Sequence, residues 1–132
     1  LIEHGIQIHA MRDVTRGGLG TVLNEFAQAS HCCMNLQEKA LPVSEQVRDF
    51  CGILGLDPMY MGNEGKMVAI VPAAQAQEAV DIIHACRYGE HAAIIGQIEK
   101  TQQTEPAVIL HTGIGGRRVI GLMYGEGLPR IC

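Results

Sequence analysis

Hydrophobic and polar positions along the chain follow two different periods. Residues 6–10 alternate between apolar and polar side chains, which weakly indicates a strand. From Leu19 onward the apolar residues fall at helical spacing, which predicts a helix over residues 18–29. Asp13 and Thr15 each carry an oxygen suited to capping the start of that helix. The change of period therefore places a polar turn between a strand and a helix.

Two further helices and several strands follow along the chain. Ser44 is typical of an N-cap, and Gly55 is placed to end the second predicted helix. A third predicted helix begins at Pro72 and ends near Tyr88. Cys51 and Cys86 fall on apolar helix faces, where we expect inert core thiols. Short apolar runs predict strands over residues 33–36, 66–71, 92–98, 107–111 and 119–123.

This order of elements predicts an α/β (α+β) fold, in which helices pack on a mixed, largely antiparallel sheet. A doubly wound sheet fits less well, because the last predicted elements are strands that follow one another directly. The length of 132 residues and the hydrophobic content of 47% suit one ordered domain. We assign residues 1–124 to that domain and residues 125–132 to a mobile C-terminal tail.

Composition excludes several classes of function. The net charge of −4 and the presence of only two Phe and three Tyr residues argue against a nucleic-acid-binding face. The apolar run at residues 67–71 stops at Pro72, too short to span a bilayer. The five cysteines are odd in number and irregularly spaced, which indicates reduced thiols and a cytoplasmic location. Neither His nor Cys spacing matches a zinc motif, so we expect no metal ligands in this chain.

The polar turn from Arg12 to Gly18 is the first candidate site. Glycines at a strand-to-helix junction let backbone N–H groups approach an anion, and the helix start adds a partial positive charge. Arg12 and Arg16 flank the turn, and guanidinium groups suit phosphate oxygens. The spacing matches neither a Walker P-loop nor a dinucleotide fingerprint. A helix-capping turn with solvated arginines remains the alternative.

Glu64 is the second candidate. It lies in the turn of residues 63–66, just before a predicted apolar strand. Partial desolvation there would make the carboxylate a better proton acceptor. The alternative is a solvated ion pair in an exposed turn, and spacing alone favours that alternative.

Cys132, the last residue, is the third candidate. Gly125 and Gly127 loosen the backbone before it, and Pro129 keeps the approach extended. At ~3.3–3.6 Å per residue, an extended segment from Gly125 would sweep on the order of 25 Å. A thiol on such a tail can be loaded at one site and processed at another. The alternative is a frayed chain end with an accidental cysteine.

Three segments taken together resemble one family. They are residues 11–19, residues 56–66, which end in Asn-Glu-Gly-Lys, and residues 128–132, which read Leu-Pro-Arg-Ile-Cys. In these segments the chain resembles HypE, the hydrogenase maturation factor in the superfamily of aminoimidazole ribonucleotide synthetase and selenophosphate synthetase. The resemblance covers essentially the whole chain but only the C-terminal half of the family's protein. It implies that the N-terminal ATP-binding domain is absent here. The family usually has Pro where Val14 stands.

The resemblance implies an enzyme, an ATP-dependent carbamoyl dehydratase (a lyase) of nickel–iron hydrogenase maturation. A carbamoyltransferase, HypF, would load a carbamoyl group onto the thiol of Cys132. Dehydration of that thiocarboxamide with ATP would give a thiocyanate. Its cyano group would pass to the HypC–HypD complex and become a ligand of the active-site iron. Glu64 is the implied base or proton relay.

The same resemblance implies a nucleotide or phosphate role for six residues of the polar turn, namely Arg12, Asp13, Thr15, Arg16, Gly17 and Gly18. Mg²⁺ is expected with ATP, held mainly by the absent N-terminal half. The full-length protein is expected to be a homodimer, and this chain alone to be inactive. Two other classes of function stay open. One is another ATP-dependent enzyme of the superfamily, such as a selenophosphate or ribonucleotide synthetase, and the other is a non-catalytic docking module for HypF or HypC–HypD.

Overall fold

The structure is a computed structural model that describes residues 1–100 and 105–122. These ranges contain three α-helices and six strands, joined by short 3-10 helices. The helices are α1 (Gly18–Ser30), α2 (Glu45–Leu54) and α3 (Ala76–His84). The strands are β1 (Ala10–Asp13), β2 (Cys32–Gln37), β3 (Met67–Ile70), β4 (Gly96–Lys100), β5 (Ala107–His111) and β6 (Arg117–Val119).

The strands form two sheets. β1 and β3 pair antiparallel, with Ala10 opposite Ile70 and Asp13 opposite Met67. The other four strands lie in the order β4-β2-β5-β6, in which β2 is antiparallel to β4 and parallel to β5, and β6 is antiparallel to β5. The predicted fold class, a mixed and largely antiparallel arrangement with helices, is therefore confirmed. The division into two sheets was not predicted.

One face of the four-stranded sheet is apolar, and α1 packs on it across β2 and β5. The alternation of β2 and β5 directs every second side chain to this face. The opposite face is more polar, and there His111 Nε2 lies 3.1 Å from Asn35 Oδ1. The buried residues that α1, β2 and β5 contribute to the core are Val22, Leu23, Ala27, Cys32, Met34, Leu36, Val108 and Leu110.

The ends of α1 and α2 test the predicted caps. Ser44 caps α2 as predicted, since its Oγ accepts a hydrogen bond from the Val47 N–H at 3.4 Å. The predicted cap of α1 by Asp13 or Thr15 is wrong. Gly17 stands at the N-cap without a side-chain hydrogen bond, and the Thr15 hydroxyl donates to Asp13 Oδ2 at 3.1 Å instead.

Other predictions need correction. The strands predicted over residues 92–98 and 119–123 run instead over Gly96–Lys100 and Arg117–Val119 within the described residues. The first strand begins at Ala10 and not within residues 6–9, because its partner β3 ends opposite that residue. Cys86 is exposed in the turn that follows α3, whereas the sequence placed it in the core. Cys51 is 1% exposed, as predicted. The predicted tail, residues 125–132, lies outside the described residues.

Within residues 1–100 and 105–122, no helix has both the length and the apolar character needed to cross a bilayer.

Replacement of Leu110 tests the position of the core. Leu110 is 1% exposed on β5, so Leu110→Ala should lower the free energy of unfolding by about 2–5 kcal/mol through lost burial and a new cavity. Ile114 is 97% exposed, and Ile114→Ala should change that free energy by less than about 0.5 kcal/mol. Urea denaturation of both variants measures the difference. Equal effects would contradict the assignment of this face as the core.

Candidate functional site

Residues 12–18, which we call the arginine-glycine turn, connect β1 to α1. Gly17 and Gly18 both have left-handed backbone angles, with φ of 69° and 64°. A Cβ on Gly18 would lie 2.6 Å from the carbonyl oxygen of Met59, which belongs to the 3-10 helix Pro58–Tyr60. Glycine is therefore required at the start of α1 both by conformation and by the close approach of a neighbouring backbone.

The start of α1 can accept an anion. Its first turn carries no acidic residue and no side-chain cap, so the partial positive charge of the helix start is not neutralised locally. Arg16 is exposed, and it has no ion-pair partner within the described part of the chain. Arg12 forms an ion pair with Glu25 of α1, and both side chains are about half exposed. The turn thus offers one uncommitted guanidinium and one already paired.

Residues 63–66, which we call the glutamate turn, are held against the arginine-glycine turn by the backbone of Val14. The Val14 N–H donates to the carbonyl oxygen of Lys66 at 3.0 Å, and the Asn63 N–H donates to the carbonyl oxygen of Val14 at 2.9 Å. A proline in place of Val14 would lack the first of these bonds. The two turns, identified separately in the sequence, form one continuous surface.

A close backbone contact reinforces this junction. A Cβ on Gly62 would lie 2.6 Å from the carbonyl oxygen of Thr15, so only glycine fits between the two turns. In the orientation that satisfies both ends of its amide, Asn63 donates to the Glu64 carbonyl at 2.9 Å and accepts from Lys66 Nζ at 3.2 Å. Glu64 itself is exposed. The partial desolvation considered for its carboxylate is therefore not found among the described residues.

Residues 120–122, which we call the exit segment, are the last described residues before the tail. Asn24 of α1 is 8% exposed, and its Nδ2 donates to the carbonyl oxygen of Ile120 at 2.8 Å. The hydroxyl of Tyr60 donates to the carbonyl oxygen of Gly121 at 2.8 Å. These bonds place the exit segment beside the first turns of α1, at the same end of the domain as the two turns.

Asp57 connects β6, the strand just before the exit segment, to the 3-10 helix. Its Oδ1 accepts a hydrogen bond from the Met59 N–H at 2.9 Å, and its Oδ2 accepts one from Arg118 Nη1 at 2.5 Å. Burial raises the pKa of Tyr60, the charge of Asp57 raises it further, and Arg118 partly offsets these effects. The Tyr60 hydroxyl therefore keeps its proton near neutral pH and remains a donor.

The structure groups Glu64 with the six residues predicted for the arginine-glycine turn, whereas Cys132 lies outside the described residues. Sequence reasoning missed Asn24, Tyr60, Asp57 and Arg118. A polar residue within an apolar helix face was the available signal for Asn24. The bonds of Tyr60 to Gly121 and of Asp57 to Arg118 gave no signal, because each joins residues 61 positions apart.

Metal ligands and the buried thiol of Cys32 are further candidates for chemistry within residues 1–100 and 105–122. No group of three or more His, Cys, Asp or Glu side chains in those ranges could hold a metal ion. Burial raises the pKa of the Cys32 thiol, and neighbouring Cys33 adds to that rise. Cys32 is therefore a neutral core thiol and a poor nucleophile.

Comparison with known proteins decides the family. The family model described as AIR synthase related protein, C-terminal domain, matches residues 1–109. The chain belongs to this family. The superfamily predicted from the three sequence segments is thus confirmed.

The relatives with assigned functions are longer proteins. The chain is 46% identical over 126 residues to the carbamoyl dehydratase HypE of Azotobacter vinelandii, covering 96% of the chain and 36% of that relative. It matches a crystal structure of the hydrogenase maturation protein HypE in complex with ATP with a TM-score of 0.87 and 43% identity, over 95% of the chain and 38% of that structure. It matches HypE in a HypE–HypF complex with a TM-score of 0.81 and 34% identity, over 88% and 37%. The predicted resemblance to HypE is confirmed, and the chain spans little more than a third of these relatives.

Alanine at Gly18 tests the packing of the turn. Gly18→Ala should lower the free energy of unfolding by about 1–3 kcal/mol, because it combines a left-handed φ with a clash against the Met59 carbonyl. Gly52 lies within α2 with open space around it, so Gly52→Ala should be neutral or stabilising by up to about 1 kcal/mol. Thermal and urea denaturation give both values. A Gly18→Ala variant as stable as Gly52→Ala would contradict the close approach.

Proposed function

We propose that this chain is the C-terminal part of an ATP-dependent carbamoyl dehydratase that acts in hydrogenase maturation. The observation that carries the proposal is the arrangement at one end of α1. An uncapped helix start, an exposed carboxylate turn and the exit segment that precedes a C-terminal cysteine meet there, in a chain similar over 95% of its length to HypE bound to ATP. Each of the three corresponds to one requirement of the reaction.

The first requirement is an acceptor for the carbamoyl group, and Cys132 is the proposed acceptor. A few per cent of an ordinary thiol is thiolate near neutral pH, and that thiolate is strongly nucleophilic. Its sulfur would form a bond to the carbamoyl carbon as the bond to the carrier breaks. A HypF-type carbamoyltransferase is the proposed donor, and the solved HypE–HypF complex of a relative supports such a partner.

The second requirement is a site for phosphate, and the arginine-glycine turn fits one. ATP, when bound, supplies the phosphoryl group that turns the amide oxygen into a leaving group. In this proposal Arg16 and the backbone N–H groups of the first turn of α1 orient phosphate oxygens, apart from the Gly18 N–H, which donates to the Thr15 carbonyl at 3.4 Å. The side chains of Arg12, Asp13 and Thr15 bond within the domain, so their proposed contribution is to shape the turn.

The third requirement is removal of the amide protons, for which Glu64 is the proposed base or relay. The turn that carries it bonds to the backbone of Val14 within the arginine-glycine turn, which supports a role for its carboxylate beside the proposed phosphate site. Its exposure provides a route for the protons to water. The described residues do not fit Mg²⁺, since they hold no cluster of suitable ligands. We therefore assign the Mg²⁺ ligands to the N-terminal domain of a full-length protein.

Other parts of the proposal rest on the sequence and on the resemblance. Residues 1–124 would form the domain and residues 125–132 a mobile tail. The HypC–HypD complex would accept the cyano group, and the full-length protein would be a cytoplasmic homodimer. A selenophosphate or ribonucleotide synthetase would need no terminal thiol, and a docking module would carry no adduct on it.

Replacement of Cys132 in a full-length protein tests the proposed acceptor. Cys132→Ala should abolish the adduct that incubation with HypF, carbamoyl phosphate and ATP produces, in both its carbamoyl and its dehydrated cyano form, because the accepting sulfur is gone. Cys86→Ala removes the exposed thiol of the described domain and should load like the wild type. Intact-mass spectrometry reads both. An undiminished adduct on Cys132→Ala would refute the acceptor role and leave the synthetase and docking alternatives.

Glu64→Gln, in the same full-length protein, tests the proposed base. The variant should accept the carbamoyl group normally but dehydrate it roughly a hundredfold more slowly, since an amide cannot take up the protons. Glu90→Gln changes another exposed carboxylate and should leave both steps unchanged. Single-turnover mass spectrometry separates loading from dehydration. Wild-type dehydration by Glu64→Gln would remove Glu64 from the mechanism.

A further inference from the structure

The contacts that hold the exit segment lie outside the chemistry proposed above. The Ile120 N–H donates to the carbonyl oxygen of Val108 at 2.8 Å, so the chain is still attached to the sheet at this residue. The next two carbonyl groups, those of Ile120 and Gly121, bond instead to side chains of Asn24 and Tyr60. The side chains of Asn24 and Tyr60 therefore hold the chain where it leaves the sheet toward α1.

The packing around Tyr60 is built to allow this contact. A Cβ on Gly20 would lie 2.9 Å from Cε1 of Tyr60 and 3.1 Å from Cγ2 of Ile120. Gly20 thus provides the space in which the Tyr60 ring and the exit segment both approach α1. Asn24 adds a buried polar side chain whose amide also donates to the Gly20 carbonyl at 2.8 Å. A buried polar network with satisfied partners favours one arrangement over alternatives of similar packing.

We propose that Tyr60 is a positioning residue for the dehydration step. Its hydrogen bond to the Gly121 carbonyl holds in place the part of the chain from which the sequence continues to Cys132. This inference rests on the proposed function, because the position of Gly121 affects the reaction only if Cys132 carries the reacting group. Tyr60 does not touch the reacting atoms in this account and acts through the backbone of Gly121.

Chain length alone would not direct the thiol to the arginine-glycine turn, because a segment of this length can reach many other places on the domain. Cys132 follows Gly121 by 11 positions (132 − 121) in the sequence. At ~3.3–3.6 Å per residue such a segment can reach roughly 35–40 Å, which covers most of a domain of this size. If the segment starts from a fixed point beside the start of α1, a larger share of its conformations would bring the thiol to the turn.

Tyr60→Phe in the full-length protein tests the inference, because it deletes the hydroxyl and keeps the ring that packs on Gly20. We expect ATP-dependent dehydration of the loaded thiol to slow about fivefold in single turnovers, the size of one lost hydrogen bond. Loading of Cys132 by HypF and the dissociation constant of ATP should stay unchanged. Tyr88 is 84% exposed, and Tyr88→Phe should leave all three quantities at wild-type values.

The outcomes are separable. If Tyr60→Phe dehydrates at the wild-type rate, or if its loading, ATP binding and thermal stability fall in parallel, Tyr60 is not a positioning residue and the inference is wrong. If the wild-type protein itself never dehydrates a loaded thiol, the proposed function fails first and this inference falls with it. A slowed dehydration with normal loading and normal ATP binding supports positioning, because a general structural defect would affect every step.

Discussion

The close packing of the first turns of α1 against the 3-10 helix Pro58–Tyr60 is the constraint on which the candidate site depends. Gly18 and Gly20 lie where a Cβ would approach the backbone of Met59 or the ring of Tyr60 to within 2.6–2.9 Å. Because both are glycines, the arginine-glycine turn, the segment that enters the glutamate turn and the exit segment all converge here. A larger side chain at either position would separate them.

Different kinds of interaction hold the converging segments. The bonds of Val14 to the glutamate turn are backbone bonds, so they depend on chain geometry and not on side-chain chemistry. The pair of Arg12 with Glu25 is half exposed, and such surface pairs contribute little to stability. The bonds of Asn24 are buried, and their loss would leave polar groups without partners. We therefore regard the backbone and buried bonds as the framework, with the guanidinium of Arg16, unpaired among the described residues, available to a ligand.

Local sequence signals predicted local structure well. The Ser44 cap, the αL glycine that ends α2 and the bounds of β5 all follow from interactions within a few residues. The failures concern where elements begin and end. The first strand begins where its partner β3 permits, and Cys86 is exposed because the helix that was predicted to reach Tyr88 ends at His84. The residues of the turns were identified from the sequence. Their junction through Val14 was not predicted, because it joins segments about fifty positions apart and the local sequence pattern does not indicate such contacts.

Hydrogen exchange of a full-length protein, with and without ATP and Mg²⁺, tests most directly whether the three segments form one site. The account predicts that ATP slows exchange together in residues 12–18, 62–66 and 120–122, while α3 exchanges at the same rate in both states. Slower exchange in only one of these segments, or no change of exchange in any of them, would contradict the claim that they form a single nucleotide-responsive site.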